Sequence, residues 1–246
     1  MSAEREKQIL DAFHRASIGL KCEGAEALAR YYELLVKKNE VMNLTAIIEF
    51  NEVLTKHFLD SAYLLPLLRD NGYGEEARLT SFLDVGSGAG FPGLVLKIAE
   101  PGAECYLLDA LRKRVNFLAE TAETLGLSSV FPTHGRSEDL AKKGSVLRER
   151  FPLVVSRAVA ALPLLSEWCL PFTMNGGLFC AYKGNAQEEV KEALPLIREL
   201  GGEIENVISY TLPGTDYSRE MVVVRKKTET PPRYPRKPGK AGKFPR

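Results

Sequence analysis

The sequence predicts an α/β protein, a largely parallel sheet that ends in an antiparallel pair of strands and is preceded by a helical region. Three observations carry this. Apolar residues in the first 75 positions recur at three- and four-residue spacing, as on one face of a helix. From about residue 79, short apolar runs alternate with amphipathic segments, the pattern of a parallel sheet covered on both faces. The last two runs are joined by only PGTDYS (213–218), too short for a crossover helix, so they must pair antiparallel.

The helical region, residues 1–75, rests on Ile9, Phe13 and Ala16, then on Leu28, Tyr31, Tyr32 and Leu35, and on a third run over 53–68. The sheet domain, residues 76–228, has seven expected strands: 79–85, 103–109, 128–134, 151–156, 176–183, 203–212 and 219–227. Between the second and third lies a helix over 112–126, closed by Gly126 as a C-terminal cap. A basic, Pro-rich tail, residues 229–246, follows.

At 45% hydrophobic and 26% charged, the chain has the composition of an ordinary globular protein. Its most apolar stretch, 151–165, contains Arg157 and falls short of a membrane span. The N-terminus mixes charge signs and has no apolar signal core, so no membrane or secretory role is expected. Cys22, Cys105, Cys169 and Cys180 have no metal or redox spacing and read as reduced core thiols; His14, His57 and His134 are too scattered for a metal site. The formal net charge of +1 hides a division. Residues 225–246 carry nine Lys/Arg against one Glu, a net +8, and leave −7 on the other 224 residues. Such a tail points to an anionic partner or to a solvated end.

The strongest motif is FLDVGSGAGFPG (82–93), directly after the first strand. Gly86, Gly88 and Gly90 allow strained backbone angles and close approach to a ligand. Pro92 suits the first turn of the next helix, whose N-terminal amides would face that ligand. The motif also satisfies GxGxxG, which alone is weak evidence for a dinucleotide. Asp84 discriminates, because it sets a carboxylate where a pyrophosphate would lie; it suits the ammonium group of S-adenosylmethionine, directly or through water. Asp109, ending the second strand, can accept ribose hydroxyls. Ser137 and Glu138, after the third strand, can line an adenine site, and Arg157, after the fourth, stands at its mouth. Lys183 closes the fifth at the same rim, able to meet a phosphate or to stay solvated. His57 and Asp60 share a helical face, either as a buried polar pair or as a wall of the site.

A parallel sheet closed by an antiparallel hairpin resembles the class I S-adenosylmethionine-dependent methyltransferases, Rossmann-like and seven-stranded with an antiparallel last strand. More specifically, FLDVGSGAGFPG, LLDALRKRVNFL (107–118), VVSRA (154–158), AYKG (181–184) and RYPRKPG (233–239) resemble the bacterial ribosomal RNA small-subunit methyltransferase G family, also called glucose-inhibited division protein B. NEVMNLTAI (39–47) and KHFLDSAYLL (56–65) resemble its helical signature, so the likeness runs from about 30 to 245. One departure is Lys38, where the family often has Trp.

The resemblance implies a guanine-N7 methyltransferase, forming 7-methylguanosine at one position of 16S ribosomal RNA in the decoding region of the small subunit. It implies S-adenosylmethionine as cofactor and a cytoplasmic location; beside it, no metal is expected from the Cys and His spacing, and a monomer is the working expectation although the sequence does not disclose the oligomeric state. The family's cofactor contacts fall on Gly86, Phe91, Ser137, Glu138 and Arg157. The N7 lone pair lies in the ring plane, so no proton need leave it and no general base is required; Arg157 would position the reactants. Lys183, Arg233, Arg236 and Lys237 are the expected RNA contacts, with Tyr234 stacking among the tail cations. Competing readings are a methyltransferase for small molecules or proteins, a nicotinamide-dependent oxidoreductase, and a non-catalytic RNA-binding factor.

Overall fold

The computed structural model describes residues 2–76, 78–237 and 241. The chain begins with helices α1 (Ser2–Arg15) and α2 (Cys22–Met42). A nearly continuous helical run follows: α3 (Phe50–Val53), a π-helical turn (Leu54–Leu59), α4 (Asp60–Ala62) and α5 (Leu64–Asp70). Pro66 is tolerated in α5 because it falls in the first turn, where its missing N–H has no intrahelical partner. The π turn, which sequence periodicity does not reveal, lies in the middle of the run and carries Lys56 and His57.

The seven strands are β1 (Ser81–Val85), β2 (Glu104–Asp109), β3 (Val130–His134), β4 (Phe151–Arg157), β5 (Thr173–Lys183), β6 (Gly202–Thr211) and β7 (Ser218–Lys226). They form one sheet in the order β3-β2-β1-β4-β5-β7-β6. Strands β1 to β5 are mutually parallel, and β7 runs antiparallel to both β5 and β6. Helices α6 (Gly93–Ala99), α7 (Arg112–Thr124), α8 (Ser137–Leu140), α9 (Leu162–Cys169) and α10 (Gln187–Glu199) fill the connections. The α7 segment ends in a turn at Gly126, whose φ of +65° is the left-handed geometry expected of it.

Alternate residues of each strand enter different cores. Leu153, Val155, Leu178 and Cys180 join α1 to α6 on one face, while Val154, Phe179 and Ala181 meet α9 and α10 on the other. The helical region thus shares a core with the sheet. Of the four cysteines, Cys105, Cys169 and Cys180 are buried thiols; Cys22, expected in a core, is exposed at the start of α2.

The tail differs from expectation. Residues 228–237 fold back over the second core, where Tyr234 is 1% exposed and belongs to the buried cluster. That burial removes Tyr234 as a stacking platform for bases. Residues 238–240 and 242–246, with Lys240, Lys243 and Arg246, lie outside the described residues.

Candidate active site

Sheet order reverses between β1 and β4, and in open α/β sheets ligands sit at that switch point beyond the strand carboxyl ends. A cavity of about 430 Å³ lies there. Gly86, Gly88, Phe91, Asp109, Ser137, Glu138 and Arg157 line it, so seven sequence-predicted cofactor residues converge from four loops. Asp84, the eighth, does not line it.

The glycine loop is shaped by its packing. Gly86 and Gly90 have φ of +78° and +102°, and a Cβ at Gly90 would stand 2.5 Å from the Tyr31 hydroxyl oxygen. That hydroxyl donates to Ala89 O, which ties α2 to the loop. The loop amides have internal acceptors. Gly86 and Ser87 donate to Leu108 O, Gly90 and Phe91 to Ser87 O, and Gly88 to Asp109 Oδ2 at 3.0 Å. Gly93 donates to Asp84 Oδ2 at 2.9 Å. The expected ligand-facing amide at the start of α6 is therefore capped from within, and a pyrophosphate cradle of the dinucleotide kind is not offered.

Asp84 is fully buried beneath this loop, so direct contact with a cofactor is corrected to a supporting position. Burial pushes its carboxyl up to about 7, against the pull of the Gly93 amide and the Arg157 charge. Its Oδ1 is buried without a hydrogen-bond partner among the described residues, leaving an unsatisfied acceptor behind the cavity. Asp109 accepts from Gly88 N and from Leu111 N at 2.8 Å, with Arg114 at 3.5 Å, so its carboxylate is fixed at the cavity wall. Ser137 and Glu138 are nearly buried, and their side chains have no hydrogen bond or ion pair among the described residues. Their free polar atoms fit a ligand with amino and hydroxyl groups, and the acid beneath the loop, whose ionised form a nearby cation would favour, fits one bearing positive charge.

At the other end stands Arg157. Its Nη1 donates to Asp60 Oδ2 at 2.8 Å and to Lys56 O at 3.1 Å, and the guanidinium lies 5.2 Å from the Phe91 ring centroid. The Lys56 carbonyl comes from the π turn. His57, next along, stacks on Phe91 at 4.5 Å, places Nδ1 3.4 Å from Arg157 Nη2 and shares a hydrogen bond with Thr45 Oγ1 at 2.9 Å. Burial, aided by the Arg157 charge, pushes the His57 imidazole down to about 4, so it is neutral at pH 7. The two residues of this helix face part company: His57 lines the cavity as a wall of the site, whereas Asp60 is buried and pairs with Arg157, not with His57.

Sequence reasoning missed Thr45, Val159 and Trp168, which also line the cavity. Thr45 stood inside the quoted NEVMNLTAI block. There Asn39 Oδ1 accepts from Thr45 N at 2.9 Å, and Asn43 takes φ +48° to end α2, which carries Thr45 toward His57. Lys38 pairs with Glu120 on α7 at 2.8 Å. For Trp168 no local signal exists.

Two expected RNA contacts are engaged within the protein. Lys183 is 9% exposed and bound to Glu189 at 2.6 Å and to Ala160 O, because the turn after β5 brings α10 over it. Arg236 is committed to Glu167. Arg233 is exposed but paired with Glu199, and Lys237 is exposed. By contrast, Arg112 and Lys113 at the start of α7, Arg136 just before α8 and Lys142 and Lys143 just after it are exposed, with no ion pair among the described residues. Among those residues no group of His, Cys, Asp and Glu is arranged to hold a metal, and no helix is long and apolar enough to cross a membrane.

The sheet order, the glycine loop at its switch point and the antiparallel seventh strand define a class I methyltransferase fold. Similar architecture is found in the O-methyltransferase from Bacillus cereus in complex with SAH (TM-score 0.53, 16% identity, 80% of this chain and 91% of that one). It recurs in the branched-chain polyamine synthase C9 mutein from Thermus thermophilus (TM-score 0.52, 13% identity, 70% and 56%). The family model for rRNA small subunit methyltransferase G (GidB) matches residues 24–211, and the chain belongs to that family. Curated relatives named ribosomal RNA small subunit methyltransferase G include one from Limosilactobacillus reuteri, 43% identical over 97% of this chain and 98% of its own. Another, from Acetivibrio thermocellus, is 39% identical over 97% and 96%. The protein is thus a methyltransferase, and S-adenosylmethionine is the donor its family uses.

Proposed function

We propose that this protein methylates N7 of one guanine in the decoding region of 16S ribosomal RNA. Bound S-adenosylmethionine supplies an electrophilic methyl group on sulfonium. Gly86, Gly88 and Asp109 form the wall that would hold its central part, with Ser137 and Glu138 at the adenine end and the buried Asp84 favouring its positive charge.

The observation that carries the reading is the fixed Arg157 at the mouth of that cavity, clamped by Asp60 and Lys56 O over Phe91. The Hoogsteen edge of guanine presents two acceptors, O6 and N7. An immobile guanidinium can hold O6 and leave the in-plane N7 lone pair free to attack. The neutral, weakly basic His57 and the occupied carboxylates of Asp60 and Asp109 suit a transfer in which no proton is removed. Catalysis is then alignment in a partly dry site. N7 is unreachable deep in an A-form groove, so the base must be unpaired or extruded.

The test is methyl transfer from labelled S-adenosylmethionine to small subunits lacking the modification, followed by cleavage mapping of 7-methylguanosine. One modified guanine in 16S RNA is expected. Label at another atom, or in no ribosomal RNA, overturns the proposal.

A further inference from the structure

The segment read from sequence as an RNA arm makes its firmest contacts inward. The Arg236 Nε and Nη2 groups meet both carboxylate oxygens of Glu167, at 3.0 and 2.6 Å, and the Arg236 amide donates to the same carboxylate at 2.7 Å. The Glu167 side chain is 0% exposed and that of Arg236 only 18%. Tyr234 is buried beneath the Arg236 guanidinium, whose carbon lies 5.1 Å from its ring centroid. Arg148 completes the attachment. Its guanidinium donates to Thr230 O and Tyr234 O in the tail and also to Ala141 O, the C-terminal cap of α8.

The two helices gripped in this way build one end of the cavity. Helix α8 supplies Ser137 and Glu138, and α9 places Trp168, the residue after Glu167, in the cavity wall. They are four and eight residues long, too short to hold their own conformation in water. A two-pronged, charge-assisted clamp on Glu167 is the kind of contact that fixes such an element.

We propose that residues 230–236 are a strap that positions the α8–α9 wall of the cofactor cavity, with Arg236 acting through Glu167 on Trp168. Arg236 is a positioning residue for cofactor affinity. The inference rests on the cavity being the S-adenosylmethionine site.

Trp168 is the single tryptophan of the chain, so its emission reports the wall directly. The experiment compares wild type, Arg236→Ala, Arg236→Lys and Glu167→Gln in the full-length protein. It reads tryptophan emission, calorimetric binding of S-adenosylhomocysteine, and KM for each substrate in methyl transfer to small subunits. In Arg236→Ala, Trp168 emission should shift to the red and S-adenosylhomocysteine should bind about fivefold or more weakly. KM for S-adenosylmethionine should rise and KM for the subunit should not. Arg236→Lys, which keeps the charge and loses the fork, should fall between, and it carries the comparison if the alanine variant does not fold. Unchanged emission and ligand affinity in both Arg236 variants, or a rise confined to KM for the subunit, overturns the strap. Absence of ligand binding in the wild type overturns the cofactor reading itself and the strap with it.

Discussion

Arg157 and Asp60, 97 residues apart in the chain, meet at 2.8 Å in a pair whose side chains are 11% and 6% exposed. The other Asp60 oxygen faces the Tyr210 hydroxyl at 3.4 Å and Arg219 Nε at 3.6 Å. One carboxylate of the helical region thus joins the mouth of the cavity to the final hairpin.

Removing either partner of a buried pair strands the other, at about 3 kcal/mol or more. Arg157→Ala should lower stability in urea by about that amount yet remain folded, and slow single-turnover methyl transfer about 100-fold through misplacement of the reactants. Asp60→Asn should slow transfer as well, because Arg157 loses its anchor. A near-normal single-turnover rate in Arg157→Ala would remove that residue from the mechanism.

His57 gives a pH dependence of known sign. Its imidazole titrates near 4 in the fold against about 6.5 unfolded, so the unfolded chain binds more protons between those values. Stability should therefore fall as pH drops from about 6.5 to about 4, by up to roughly 3 kcal/mol. His57→Gln should flatten that window in denaturant titrations at pH 7 and pH 4.5. Equal losses in the two proteins would show that other groups set the acid limb.

Asp84 has the opposite sign. With its carboxyl raised to about 7, the fold binds the proton more tightly than the unfolded chain, and the stability this gives is lost as pH climbs from about 4 to 7. Asp84→Asn still offers an oxygen to the Gly93 amide but never ionises. Without ligand, this variant should melt higher than wild type at pH 8, by about 3 °C or more, and differ little at pH 4. The same variant should bind the cationic S-adenosylmethionine more weakly relative to neutral-sulfur S-adenosylhomocysteine. A variant that melts lower at pH 8 would contradict the buried-charge account.

RNA attraction should reside on the cavity rim. Each phosphate contact removed lowers the slope of log affinity against log salt by about one. Replacing Arg112, Lys113, Arg136, Lys142 and Lys143 with alanine should flatten that slope for small-subunit RNA, whereas Lys183→Ala should leave it unchanged. Salt titration of RNA binding separates these outcomes.

The sheet was readable because its evidence is local: alternation, turn residues and loop length act over ten residues or fewer, and all seven strands lie where these put them. The glycine loop and the strand-end residues were readable for the same reason. The tail was not. Nine cations in 22 residues read as an arm seeking anions, but the anion that meets Arg236 lies 69 residues earlier, in a helix whose fold position no local pattern discloses. The pairing of Lys183 with Glu189 on the next helix was hidden in the same way. Asp84 reads in the sequence as a cofactor-facing acid, and its burial and its capping of Gly93 could be seen only with side chains in place.

The sheet order bears on how the chain comes off the ribosome. Strand β6 joins the sheet only through β7, which is the last strand made yet sits inside β6, next to β5. Until residue 226 has emerged, β5 offers an open edge and β6 has no partner in this sheet. Truncations ending before β7 therefore leave two exposed strands for other chains to pair with, and aggregation is the failure to expect of every stalled or prematurely stopped product.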